Sequence, residues 1–266
     1  MLVPSDPALD TALQTSAAAG LPSHNVSPNQ GKLLLLLAQI QGARSILEIG
    51  TLGGYSTICL ARALPSDGRL ITLEADPKHA EVARANIAHA GLSKLVDLRL
   101  GQALSTLPQI AAENQGPFDQ APLGRGVGCR VWGVVREIAP TTVGIQAPSL
   151  TTIALGGVQA PSNAVPYTLH PTPYTLLLDL IFIDADKPSN PEYFAWALKL
   201  SRRGSLIIAD NVVRNGAVID AASSDPSVQG VRRFNELLAS EPRVNATAIQ
   251  TVGSKGYDGF AIAIVI

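Results

Sequence analysis

The sequence predicts an α/β domain: a Rossmann-like doubly wound sheet, mostly parallel, with a C-terminal antiparallel hairpin at one edge. Three observations predict it. Short runs of Ile, Leu and Val bounded by Gly and Asp recur along the chain, with helical periodicity between them. A glycine-rich turn follows the first run, where such folds pass from strand to helix. The last two runs have only turn residues between them, so they pair antiparallel.

The elements follow in order. Ser27-Pro28 opens a helix, a hydroxyl cap followed by a proline at the first helical position, and it continues through Leu33 to Leu37 until Gly42. The first strand is Ser45–Gly50 and the second Arg69–Ala75. Asp76-Pro77 caps a helix whose Ala80, Ala83, Ile87 and Ala90 share a face and which Gly91 ends. Strands three, four and five are Val96–Gly101, Asp179–Ala185 and Gly204–Asp210. All five are nearly continuous in aliphatic residues, as strands buried on both faces should be. Asn190-Pro191 begins a helix through Phe194 and Leu198 towards Gly204, and Asp225-Pro226 another with Val228, Val231, Leu237 and Leu238 broadly on one side. Ala246–Gly253 and Gly259–Ile266 form the closing hairpin around Ser254 to Asp258.

One segment departs from this scheme. Between Asp119 and Leu180 lie about sixty residues with seven Pro and seven Gly, and Gln120 to Leu178 holds four charged residues. It contains a short tandem repeat, Pro166 to Leu169 and Pro173 to Leu176. A structureless stretch of this length argues for an insertion, at about 120–178, into a single domain spanning 1–266. It enters before the fourth strand, at the amino end of the sheet and opposite the crevice, where a lid would be poorly placed. Three readings compete: a disordered excursion, a partner-binding loop, or translated non-coding sequence.

Composition excludes several classes of function. Twenty Lys+Arg against 21 Asp+Glu give a net charge of -1, and without a Lys/Arg run neither nucleic acid nor an anionic membrane surface is an expected partner. The five-leucine run is far short of the roughly 20 residues that span a bilayer. The first ten residues lack a basic stretch followed by an apolar one, so no secretory leader is expected. Cys59 and Cys129 stand apart without metal-ligand spacing, which suits a reducing, cytoplasmic setting and makes Cys59 a small buried hydrophobe.

The chemistry-bearing residues sit at strand exits. Glu48, Gly50, Thr51, Gly54 and Ser56 surround the first turn, where glycines allow close backbone approach and the next helix presents N–H groups. Glu74 ends the second strand, where an acid can accept from both ribose hydroxyls of an adenosine-type cofactor. These residues alone leave a nicotinamide dinucleotide and S-adenosylmethionine both open, with Glu48 better suited to a sulfonium. Asp184 and Asp186 leave the fourth strand with Lys187, and Asp210 and Asn211 leave the fifth. Asp184, Asp210 and Asn211 are hard oxygen donors that suit Mg²⁺. Lys187, three residues from a candidate ligand, is a candidate general base, since burial and a nearby cation favour the neutral amine.

From about Ser27 onward, the insertion apart, the chain resembles the cation-dependent O-methyltransferases that include catechol and caffeoyl-CoA O-methyltransferases, and most resembles their small bacterial-type members. The resemblance rests on LEIGTLGGYS (Leu47–Ser56), LEAD (Leu73–Asp76), FIDADK (Phe182–Lys187) and ADNVVRNG (Ala209–Gly216), in that order. It implies metal ligands at Asp184, Asp210 and Asn211, a catalytic base at Lys187 and a ribose-binding acid at Glu74. It places Val26, Glu48, Gly50, Thr51, Ser56, Ala103, Asp184 and Asp186 around S-adenosylmethionine and Asn215 against the substrate, and it allows a homodimer. No basic residue before Ser27 matches the one with which plant relatives hold a CoA ester, so the expected acceptor is a small free phenol or catechol. An NAD-dependent dehydrogenase, which leaves the Asp184, Asp210 and Asn211 group without use, and a non-catalytic cofactor-binding protein are the alternatives.

Overall fold

The computed structural model describes residues 2–114, 177–253 and 256–266. The expected insertion therefore lies outside the described residues except at its last two positions, as do Cys129 and the tandem repeat. The described strands are β1 (Ser45–Ile49), β2 (Arg69–Glu74), β3 (Val96–Leu100), β4 (Leu178–Ile183), β5 (Ser201–Asp210), β6 (Val244–Gly253) and β7 (Gly256–Val265). They form one sheet in the order β3-β2-β1-β4-β5-β7-β6, parallel from β3 to β5, with β7 antiparallel to both β5 and β6. The doubly wound sheet with its edge hairpin is thus observed. The order in which successive strands are added reverses between β1 and β4, which are themselves parallel, and this is the place where such sheets open a crevice beyond their carboxyl ends.

The alternation of side chains along each strand divides the core into two layers. Leu47, Ile49, Ile181, Ile183 and Ile207 pack beneath α5 (Ala103–Asn114), α6 (Asn190–Leu200) and α7 (Pro226–Ser240). Their neighbours Ile46, Leu180, Phe182 and Ile208 face α2 (Pro28–Gln41) and α3 (Tyr55–Ala61) on the other side. Cys59 is buried in the second layer, and burial raises its thiol to about 12. Among the described residues no helix is long and apolar enough to cross a membrane.

Several expectations are corrected. β3 is only partly buried, because it is the sheet edge, and Asp97 and Arg99 on it pair with Arg69 and Glu113. β7 begins at Gly256, so Tyr257 and Asp258 belong to a strand and not to the turn. On α7 Val228, Val231 and Leu238 are buried as expected and Phe234 joins them, whereas Leu237 is 45% exposed. A first helix, α1 (Pro7–Ala18), was not expected. Asp6 caps it by accepting from the N–H groups of Ala8 and Leu9, each at 3.1 Å, and Arg62 pairs with Asp6 at 2.6 Å. Ala12 then packs with Ile58, Ala83 and Ile87 of α3 and α4 (Pro77–His89).

Candidate active site

A cavity of about 770 Å³ opens beyond the carboxyl ends of the strands. The glycine turn shapes it first. Gly50 has φ +100°, in the region that favours glycine, and a Cβ there would lie 2.1 Å from the backbone oxygen of Asp184. Gly50 N–H donates to Leu73 O at 3.0 Å and Asp184 N–H to Ile49 O at 2.8 Å, so the exits of β1, β2 and β4 are tied together.

Glu74 is fixed beside this turn. Its carboxylate accepts from the backbone N–H groups of Leu52 at 2.7 Å, Asp76 at 2.9 Å and Thr51 at 3.2 Å, and His79 Nδ1 lies 3.5 Å away. A carboxylate offers about four lone-pair directions, so capacity remains for a ligand. Asn86 braces the turn from outside: its Nδ2 donates to Gly53 O at 2.9 Å while its Oδ1 accepts from Thr15 Oγ1 at 2.6 Å.

Of the residues expected at the cofactor, Val26, Gly50, Ser56, Glu74, Ala103, Asp184 and Asp186 line the cavity, whereas Glu48, Thr51 and Gly54 stand behind its wall. Glu48 is fully buried and accepts from the hydroxyls of Ser56 at 2.6 Å, Thr72 at 2.7 Å and Thr57. Burial pushes its carboxyl up to about 7 against the opposing pull of those hydroxyls, and the charge of Asp184 adds to the rise. Thr51 is engaged with Thr72 at 2.6 Å, and Gly54, with φ +85°, starts α3 against Ala83.

Lys187, Asp210, Asn211 and Asn215 also line the cavity. Lys187 is buried and its Nζ donates to Asp184 Oδ1 at 2.9 Å. Asp210 Oδ1 accepts from Asn211 N–H at 2.6 Å. Burial, and then the charge of Asp184, push the Asp210 carboxyl well above the ordinary carboxylate range. Two acids held in such mutual opposition fit a divalent cation, and an adjacent amide suits the same hard-oxygen donor set. Among the described residues no cluster of three or more His, Cys, Asp or Glu offers a competing metal site.

Other lining residues escaped the sequence reading. Gln30 accepts from Ser27 N–H at 2.9 Å, and its Nε2 points to Asp210 Oδ1 at 3.5 Å and Thr251 Oγ1 at 3.4 Å. The Ser27-to-Gln30 capping box was the available signal. Tyr193 donates its hydroxyl to Asp186, and burial followed by that carboxylate raises the phenol's pKa. Arg214 and Tyr257 line the wall next to Asn215.

The comparisons agree with this geometry. A family model described as O-methyltransferase matches residues 5–122 and 169–262. A catechol O-methyltransferase of Niastella koreensis is 46% identical over 260 residues, covering 98% of this chain and 90% of that protein. An O-methyltransferase from Bacillus cereus, solved in complex with SAH, superposes with a TM-score of 0.75 at 50% identity, over 100% of this chain and 94% of the other. The O-methyltransferase TomG from Streptomyces achromogenes, involved in tomaymycin synthesis and solved with SAM, gives 0.72 at 43% identity, over 100% and 92%.

Proposed function

The chain belongs to the O-methyltransferase family, enzymes that take their methyl group from S-adenosylmethionine, and from that premise we propose that it methylates a hydroxyl of a small catechol-like acceptor in a reaction that depends on a divalent cation. The observation that carries the reading is the contact of Gly50 with Asp184, which sets the cofactor turn beside Asp184, Lys187 and Asp210 in one cavity.

In this reading Glu74 holds the ribose hydroxyls, and Val26, Ser56, Ala103 and Asp186 enclose the rest of the methyl donor. Glu48 acts from behind Ser56 by fixing its hydroxyl. Asp184, Asp210 and Asn211 hold the cation, Mg²⁺ by donor type, which when bound supplies Lewis-acid polarisation and a template for two adjacent hydroxyls. Lys187, oriented by Asp184, takes the proton from the acceptor hydroxyl. The acceptor oxygen then forms its bond to the methyl carbon as the carbon–sulfur bond breaks, with oxygen, carbon and sulfur in line. Asn215 borders the acceptor. The dehydrogenase alternative is set aside by the family relationship. We further propose that about 120–178 interrupts a single domain, a reading supported by the family match omitting 123–168.

The test is methyl transfer from S-adenosylmethionine to catechol with Mg²⁺ present, and again with EDTA in excess. Transfer that stops with EDTA and returns with Mg²⁺ is expected; transfer indifferent to EDTA overturns the cation.

A further inference from the structure

Among the described residues two Lys/Arg side chains line the cavity, Lys187 and Arg214. Lys187 is engaged by Asp184, whereas among the described residues the guanidinium of Arg214 has no ion-pair or hydrogen-bond partner. Its backbone is nevertheless held. Asp258 Oδ1 accepts from the N–H groups of Val213 at 3.0 Å, Arg214 at 2.9 Å and Gly259 at 2.9 Å, which pins the segment after β5 to β7. Arg214 and Asn215 both take positive φ, 54° and 53°, a strained conformation for residues with a Cβ and one that gathers at ligand sites. Gly216 follows at φ 85°, where a Cβ would lie 2.6 Å from the Tyr257 hydroxyl.

Position separates this arginine from the cofactor half of the cavity. Glu74 ends β2 and Arg214 follows β5, three strands away in the sheet order, or about 14 Å at a spacing of roughly 4.8 Å. Arg214 therefore stands at the β5 end of the cavity with Asp210 and Asn211, the end left for the acceptor when Glu74 holds the methyl donor. A guanidinium held there without a protein carboxylate presents a planar fork of donors matched to a carboxylate.

We propose that Arg214 is a specificity-determining residue and that the acceptor is an anionic catechol, one whose ring carries a carboxylate. The inference rests on the O-methyl-transfer reading above and narrows its substrate class. Three acceptors of one shape test it: 3,4-dihydroxybenzoate, its uncharged primary amide, and 3,4-dihydroxybenzylamine, which is cationic. The wild type is expected to prefer the acid over the amide by about tenfold to a hundredfold in kcat/KM, the range of a charge-assisted contact. Arg214→Gln should collapse that preference, and Arg214→Glu should turn it towards the amine, with the thermal shift on adding S-adenosylmethionine serving as the check on folding. Equal use of acid and amide by the wild type overturns the proposal, and so does an equal fall for all three acceptors in both variants. Failure of the wild type to methylate any of them sinks the O-methylation reading itself, and this inference with it.

Discussion

Gly50 and Asp184 meet backbone to backbone: a single Cβ on Gly50 would stand 2.1 Å from the Asp184 carbonyl oxygen and 2.8 Å from its carbonyl carbon. Gly50→Ala must therefore separate the exits of β1 and β4 or distort both, and it must also hold an alanine at φ +100°. A stability loss of about 1–3 kcal/mol is expected in urea unfolding. Affinity for S-adenosylmethionine, measured by calorimetry, should fall with it. An alanine variant of wild-type stability and affinity would mean that the two exits are not in contact.

What could be read before the structure follows from what each element needs. Leu178–Ile183 is buried along its whole length, and a strand with no solvent face is written in apolar residues except where a polar one is satisfied locally, as Asp179 is by the N–H groups of Arg44 and Ser45. Glu74, Asp184 and Asp210 were legible because in a parallel sheet every carboxyl end opens on the same side. α1 was harder to read, since Ala12 is its one fully buried residue and its apolar stripe is the short set of Leu9, Ala12 and Leu13, although Asp6-Pro7 repeats the Asp76-Pro77 start signal. Gln30, Tyr193 and Arg214 depend on how a helix or turn is rotated towards the cavity, and rotation is set by packing that residue spacing does not record.

Lys187→Ala removes the base and leaves Asp184 without its 2.9 Å partner. General-base loss is worth about 10²- to 10⁴-fold. The expected outcome is a kcat lowered to that degree with affinity for S-adenosylmethionine nearly unchanged, since Glu74 and the glycine turn are untouched. Single-turnover kinetics beside calorimetry separate the two. A matched loss of affinity and rate would reassign Lys187 to cofactor binding.

Asp210→Asn keeps the shape of the side chain and removes one of the two opposed charges. The variant should lose the rise in Tm that Mg²⁺ gives the wild type, because a cation that binds only the native state stabilises in proportion to its affinity. Methyl transfer should fall with it. Mn²⁺ titration followed by electron paramagnetic resonance provides a reading independent of turnover, and wild-type affinity for Mn²⁺ in the variant would exclude Asp210 as a ligand.

Glu48 gives the fold a pH dependence of definite sign. Its carboxyl titrates near 4.5 in the unfolded chain and at about 7 in the folded protein, because burial outweighs the hydroxyls of Ser56, Thr57 and Thr72. Below 4.5 the group is protonated in both states and costs nothing. As pH rises from there to about 7, the unfolded chain releases its proton while the folded protein keeps it, so unfolding gains ground; above about 7 both are ionised and the dependence flattens. The shift corresponds to a loss on the order of 3 kcal/mol between the two ends of that window. Glu48→Gln removes the ionisation while leaving an amide that the same hydroxyls can engage. Its unfolding free energy, from urea titrations at a series of pH values, should lack the wild-type decline between 4.5 and 7. The variant should also be the more stable protein at pH values above that window. A decline of equal depth in the variant would place the responsible proton on another group.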